Sequence, residues 1–121
     1  MDKFTHIKVP ILNDEYWITV CWGDWGETAK KYIRSITEPN MDFGGIEASR
    51  AMFYASTNFS FMPVILMCIP LKDKHFFSSL AHESVHVINE LWKHLEEPSK
   101  EEVFAYSVGA IVYAVERQVR K

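Results

Sequence analysis

Residues 82–86 read His82-Glu83-Ser84-Val85-His86. On a helix, side chains four residues apart lie one turn above each other, so both imidazoles would project from one face toward a common point. Paired imidazoles of this kind are donors that zinc accepts. Glu83 is turned about 100° from His82, which makes it a poor ligand but sets its carboxylate beside whatever the histidines hold. Zinc lowers the pKa of a water it holds to about 7, and a neighbouring carboxylate can take the proton as that water attacks a carbonyl. The bland alternative is a helix carrying two solvated or core-satisfied histidines by chance. The surrounding residues have to decide.

They read as a helix over 77–95. Projected at 100° per residue, Phe77, Ala81, Val85, Ile88, Leu91, Trp92 and Leu95 gather into one apolar stripe. His82 and His86 fall together on its flank, about 120–160° from the stripe's centre. Such a position lets two ligands face a cleft while the stripe anchors the helix. Asp73 is placed to cap the helix, in a turn formed by Leu71-Lys72-Asp73-Lys74.

A catalytic zinc usually has three protein ligands and an open position. Pro98 stops the first helix and Ser99 caps a second over 101–118, whose apolar face is Phe104, Ala105, Val108, Val112, Val115 and Val119. Glu102 lies on the flank of that face in line with Tyr106, Gly109 and Tyr113, so flank logic makes it the better third ligand. Glu101 is the fallback, because the first turn of a helix is easily misjudged by a residue. A capping box with Ser99 is the plainer account of Glu102. Gly109 would let two helices approach closely, at some cost in helix propensity. Tyr106 or Tyr113 could donate to a tetrahedral oxyanion, although each reads more readily as a core tyrosine with its hydroxyl at the rim. His75 and His94 share the helix of the motif without sharing its face, and His6 belongs to a strand.

His82-Glu83-Ser84-Val85-His86 followed by Glu102-Val103-Phe104-Ala105-Tyr106 resembles the gluzincin arrangement, in which the third ligand is a glutamate on the next helix. Leu80-Ala81-His82-Glu83, His86-Val87 and Glu101 to Tyr106, with Met52-Phe53-Tyr54 and Pro63-Val64-Ile65 upstream, are similar to small metallopeptidases found in bacteriophages. The resemblance runs from about Met52 to Val112, and only the His-Glu-x-x-His motif in it is specific. It implies a zincin-like sheet-plus-helix core, a single zinc ion and hydrolysis of peptide bonds. The chain lacks the second substrate-binding domain of large gluzincins, and one turn past Glu102 it has Tyr106 where they have an acidic residue.

The rest of the chain bounds these expectations. At 121 residues it reads as one domain, 1–121, large enough to bury a core. Hydrophobic residues at 48% and charged ones at 24% are ordinary for a globular chain. The net charge of −3 argues against nucleic acid as a partner. No segment has the pattern of a signal peptide or a membrane span, so a cytoplasmic location is expected, in the host if the chain is phage-encoded. Cys21 and Cys68 fit as buried thiols; neither has a Cys or His at ligand spacing.

An α+β fold is expected, in the order β-β-α-β-β-α-α, with the helices on one face of a small antiparallel or mixed sheet. Residues 4–12 and 16–22 read as a hairpin turning at Asn13-Asp14, its first strand marked by Pro10 as short or at an edge. A helix over 27–37 follows, then strands over 48–55 and 62–69 joined near Ser56-Thr57-Asn58. In a zincin-like site the substrate adds a strand to the sheet edge above the motif helix. Either of those two strands could be that edge, and Pro63 and Pro70 suit the second to the role. Trp22 and Trp25 read as core or as a contact patch beside a glycine turn.

The leading expectation is a minimal zinc metallopeptidase acting on a peptide or protein. His82, His86 and Glu102 would be its metal ligands and Glu83 its general base and then general acid. Two alternatives stay open. One is a metal-dependent amidase or deformylase-like hydrolase, for which Cys68 is suggestively placed without the expected flanking residues. The other is a metal-stabilised module that captures a host protein.

Overall fold

The computed structural model describes residues 4–11, 14–23, 25, 27–37, 40–41, 43–44, 51–54, 63–95 and 101–119. In chain order these form β1 (Phe4–Ile11), β2 (Asp14–Trp22), α1 (Glu27–Ile36), β3 (Ala51–Tyr54), β4 (Val64–Met67), α2 (Phe76–Leu95) and α3 (Glu101–Val119). The expected turns at Ser56-Thr57-Asn58 and Pro98-Ser99, and the outer residues of the expected strand 48–55, lie outside the described residues. So do the side chains of His6, His94 and Leu95.

The four strands make one mixed sheet in the order β1-β2-β4-β3. β1 and β2 pair antiparallel from Phe4↔Cys21 to Ile11↔Asp14. β2 pairs parallel with β4 from Thr19↔Val64 to Trp22↔Met67, and β3 pairs antiparallel with β4 from Ala51↔Met67 to Tyr54↔Val64. A parallel pair needs a long crossover, and α1 lies within the connection from β2 to β4. β2 ends at Gly23, whose φ of 89° suits a residue without Cβ. The Gly23 N–H is shared between the Met67 and Ile69 carbonyls at 3.1 and 3.0 Å, which ties the end of β2 to the chain leaving β4.

Strand alternation divides the apolar residues between two cores. On one face Ile18 and Val20 of β2, Ile65 and Met67 of β4, and Ile7, Val9 and Ile11 of β1 pack with α2 and α3. On the other, Cys21, Val64 and Leu66 pack with Ile33 of α1 and with Trp25, Met41 and Phe43. The helices therefore occupy both faces, which corrects the expectation of one. The reason is visible in β4, Val64-Ile65-Leu66-Met67, buried at every position. A strand apolar on both sides needs a cover on both sides. Phe43 in the second core lies under the Lys30 ammonium and the Arg34 guanidinium of α1, 5.5 and 4.8 Å from its ring centroid, so both cations pack on the aromatic face.

The same observation separates the two edge candidates. β4 is interior, flanked by β2 and β3, while β3 is an edge of the described sheet. Pro63 and Pro70 fall outside the paired residues of β4, where a missing N–H costs no ladder bond. β1, with Pro10, forms the opposite edge, as expected. Trp25 is buried and Trp22 half-buried against Phe76, whereas Trp17 is the exposed tryptophan, under the Lys8 ammonium at 5.2 Å.

Candidate functional site

α2 begins directly after β4. The Asp73 carboxylate accepts from the His75 N–H at 2.8 Å and its carbonyl from the Phe76 N–H at 3.0 Å, so Asp73 organises the first turn as its position suggested. Phe76, Leu80, Val87, Ile88 and Leu91 are fully buried, and each contributes about 1.5–3 kcal/mol by leaving water.

This buried stripe differs from the expected one. Val85 is 37% exposed and Ala81 half-buried, while Phe76, Leu80 and Val87 take the inward positions. The helix is turned by roughly 60° from the all-apolar projection. Two polar residues make the rotation possible. Ser84 is fully buried because its hydroxyl donates to the Leu80 carbonyl at 2.7 Å. Glu83 turns inward too, 6% exposed, the one charged residue among the buried described ones.

The motif is thereby split across the helix surface. His82 and His86 stand on the exposed side, ring centroids 5.1 Å apart and planes at 76°. His82 Nε2 lies 3.9 Å from Glu83 Oε2. Burial pushes the Glu83 carboxyl above its ordinary value, while the charges of His82 and His86 pull it back. Two imidazoles open to solvent thus border a carboxylate that protein largely shields from it.

Glu102 is not part of this group. It is exposed in the first turn of α3 beside Glu101. Trp92 and Phe104 stack edge-to-face at 6.1 Å, which sets the start of α3 against the last turns of α2. His86 lies six residues before Trp92, about 9 Å along the helix, and Phe104 is two residues past Glu102. Among the described residues no three His, Cys, Asp or Glu side chains come together as metal donors. The structure brings together His82, Glu83 and His86, while the start of α3, with Glu101 and Glu102, packs near Trp92 further along α2.

Glu102 does share a face with the residues expected beside it. With Ala105, Tyr106, Gly109, Ala110 and Tyr113 it lines a cleft of about 530 Å³. Tyr106 is 77% and Tyr113 61% exposed, so neither is the core tyrosine its pattern suggested. The apolar face of α3 is centred on Ser107, Ile111 and Val115, and Ala105 is exposed. Ser107 is buried by the same device as Ser84, donating to the Val103 carbonyl at 2.8 Å.

The remaining candidates add no donor. His75 is exposed at the start of α2. Cys21 is buried, and desolvation pushes its thiol up to about 12, far from a ready thiolate. Cys68 is half-buried beyond β4. The inward turns of Glu83 and Ser84 escaped the sequence reading, although a serine at i+4 from Leu80 signals a hydroxyl that can satisfy itself on the helix.

No protein-family model, curated protein or solved structure matches this chain. No helix among the described residues is long and apolar enough to cross a membrane.

Proposed function

We propose that the chain is a zinc-dependent hydrolase, a metallopeptidase of the gluzincin type in minimal form. The observation that carries this reading is the split motif: two exposed imidazoles one turn apart, and a shielded carboxylate 3.9 Å from the nearer one. The donor set fits zinc in two of three positions, His82 and His86. Zinc, when bound, would supply a Lewis acid that polarises a carbonyl and makes water acidic. Glu83 takes the proton of the attacking water and returns it to the leaving amine. Its partial burial keeps bulk water from competing for that proton.

We assign the third donor to Glu102 on the resemblance to gluzincins. The substrate's backbone would extend the sheet at β3, the edge strand neighbouring β4 and in contact with α2. That geometry favours an extended peptide over a compact small molecule.

A second reading, a metal-held module that captures a protein, draws support from Tyr106 and Tyr113 exposed on one cleft. One comparison separates the readings. Wild type and Glu83→Gln are incubated with zinc in a cell lysate, and new protein N-termini are read by mass spectrometry. New termini with wild type alone support the peptidase. Cleavage of small amides without new internal termini selects the amidase alternative. An unchanged lysate from which both proteins retain one partner selects the binding module.

A further inference from the structure

We propose that the outer face of α3 is a self-complementary seam, and that its occupant is the same face of a second copy of this chain, packed antiparallel. The inference concerns the metal-free chain and shares Glu102 with the hydrolase reading, so zinc and the seam would compete for that carboxylate.

Gly109 is its starting point. Glycine inside a helix costs about 1 kcal/mol against alanine, so it asks for a reason. Among the described residues the packing supplies none, because a Cβ built at Gly109 meets none of their atoms within 4 Å. A gap of this kind suits a backbone that approaches from outside. Tyr106 and Tyr113 stand on either side of it as exposed walls, and Ala105 and Ala110 keep the floor of the cleft low. Among the described residues every one that lines this cleft belongs to α3.

The order of residues along the face selects the partner. Glu102, Tyr106, Gly109 and Tyr113 follow at spacings of four, three and four, the rhythm of a helix–helix seam. Arg117 closes the row, its guanidinium held over the Tyr113 ring at 5.7 Å. The row is symmetric in position and opposite in charge about a point between Gly109 and Ala110. A two-fold axis there sets each Glu102 against the other copy's Arg117, roughly 11 Å from the axis. It also sets Tyr106 against the other copy's Tyr113, and Gly109 against the other copy's Ala110. Every group on the face then meets a complement, acid to base and ring to ring. In a parallel pairing the like charges would meet instead. Contact through glycine and alanine lets the helix axes come nearer than the usual 8–10 Å, which brings the tyrosines into mutual contact.

The test is association of the whole chain, measured by sedimentation equilibrium with and without a chelator. The mass should rise from 14.1 kDa toward twice that value as concentration increases. Gly109→Leu fills the cleft where the fold leaves room, so it should remain monomeric while melting no lower than wild type. Glu102→Arg and Arg117→Glu should each weaken association by roughly tenfold, since each places two like-charge pairs in the dimer. The double variant Glu102→Arg/Arg117→Glu should recover it, because the pair is re-formed with its signs exchanged. A wild-type mass that stays at one chain, a Gly109→Leu variant that dimerises like wild type, or a double variant no better than either single one would each overturn the proposal.

Discussion

α2 and α3 are close to equal in length, pack on the same face of the sheet and each bury one serine that bonds back to the preceding turn. What they do with their polar residues differs. α2 draws a carboxylate inward beside two outward imidazoles, while α3 keeps both its first-turn carboxylates in solvent and exposes two tyrosines. A buried serine on each helix shows that a hydroxyl is easily accommodated. A buried glutamate has no such cheap solution, because the charge loses water and the helix offers it no donor. The burial of Glu83 therefore marks α2 as the helix that carries a cost in stability, which the proposed chemistry would account for. α3 carries no comparable cost in its core, and its unusual residues are all on the side that faces away.

The largest effect that tests this contrast lies at the motif. Glu83→Gln removes the proton acceptor and should lower the rate by about 10²–10⁴, with zinc content retained. The same change removes a buried charge, so the metal-free variant should melt at or above the wild-type temperature in calorimetry. His86→Ala should empty the zinc site, as read by metal analysis of the purified protein. A Glu83→Gln variant that loses both zinc and fold would make the glutamate structural and remove the difference between the helices.

A second pair of variants breaks or sharpens the orientation of α2. Val87 is fully buried, and Val87→Asp should cost about 3 kcal/mol or more in denaturant unfolding. Val85 is 37% exposed, and Val85→Asp should change stability by no more than about 0.5 kcal/mol. The all-apolar projection of the helix demands the reverse order.

That projection shows where the sequence was legible. Helix and strand periods overlie β1, β2, α1, β3, β4, α2 and α3 but gave no sign of the helical backbone at Phe43 and Gly44, and Asp73 and Pro10 marked the start of α2 and an edge strand for physical reasons the structure repeats. The motif's spacing alone put His82 and His86 side by side. The rotation of α2 was hidden because an apolar projection leaves Glu83 and Ser84 out of the inward stripe, and whether a polar side chain can turn inward depends on the partner it finds there. The face taken by α1 was hidden for a related reason: Val64-Ile65-Leu66-Met67 announces a strand covered twice, without saying by which helix. The distance from Glu102 to the histidines depends on how far α2 continues past His86, and helical period says nothing of where two helices meet.

Gly109→Ala is a smaller test and acts on α3. With open space at the Cβ position, the change should stabilise the monomer by about 0.5–1 kcal/mol, read as a higher melting temperature in dilute protein. A loss of stability there would mean that the glycine serves the fold itself, and the contrast between a helix shaped by chemistry and one shaped by its outer face would fail.

The smallest expected effect decides what Glu102 does. As a carboxylate in the first turn of α3 it favours the helix through the positive end of its dipole, worth about 0.3–1 kcal/mol at an exposed site. Glu101 in the same turn contributes in the same way, so Glu101→Gln and Glu102→Gln should lower stability alike when no metal is present. Zinc is what separates them. Under the proposed ligand set Glu102 would be the third donor, so Glu102→Gln should weaken zinc binding at least tenfold in a competition titration while Glu101→Gln leaves it unchanged. The reverse result moves the ligand back one position along the helix. Equal zinc affinity in both variants would leave His82 and His86 as the only donors α2 and α3 supply, and Glu102 would belong wholly to the outer face of α3.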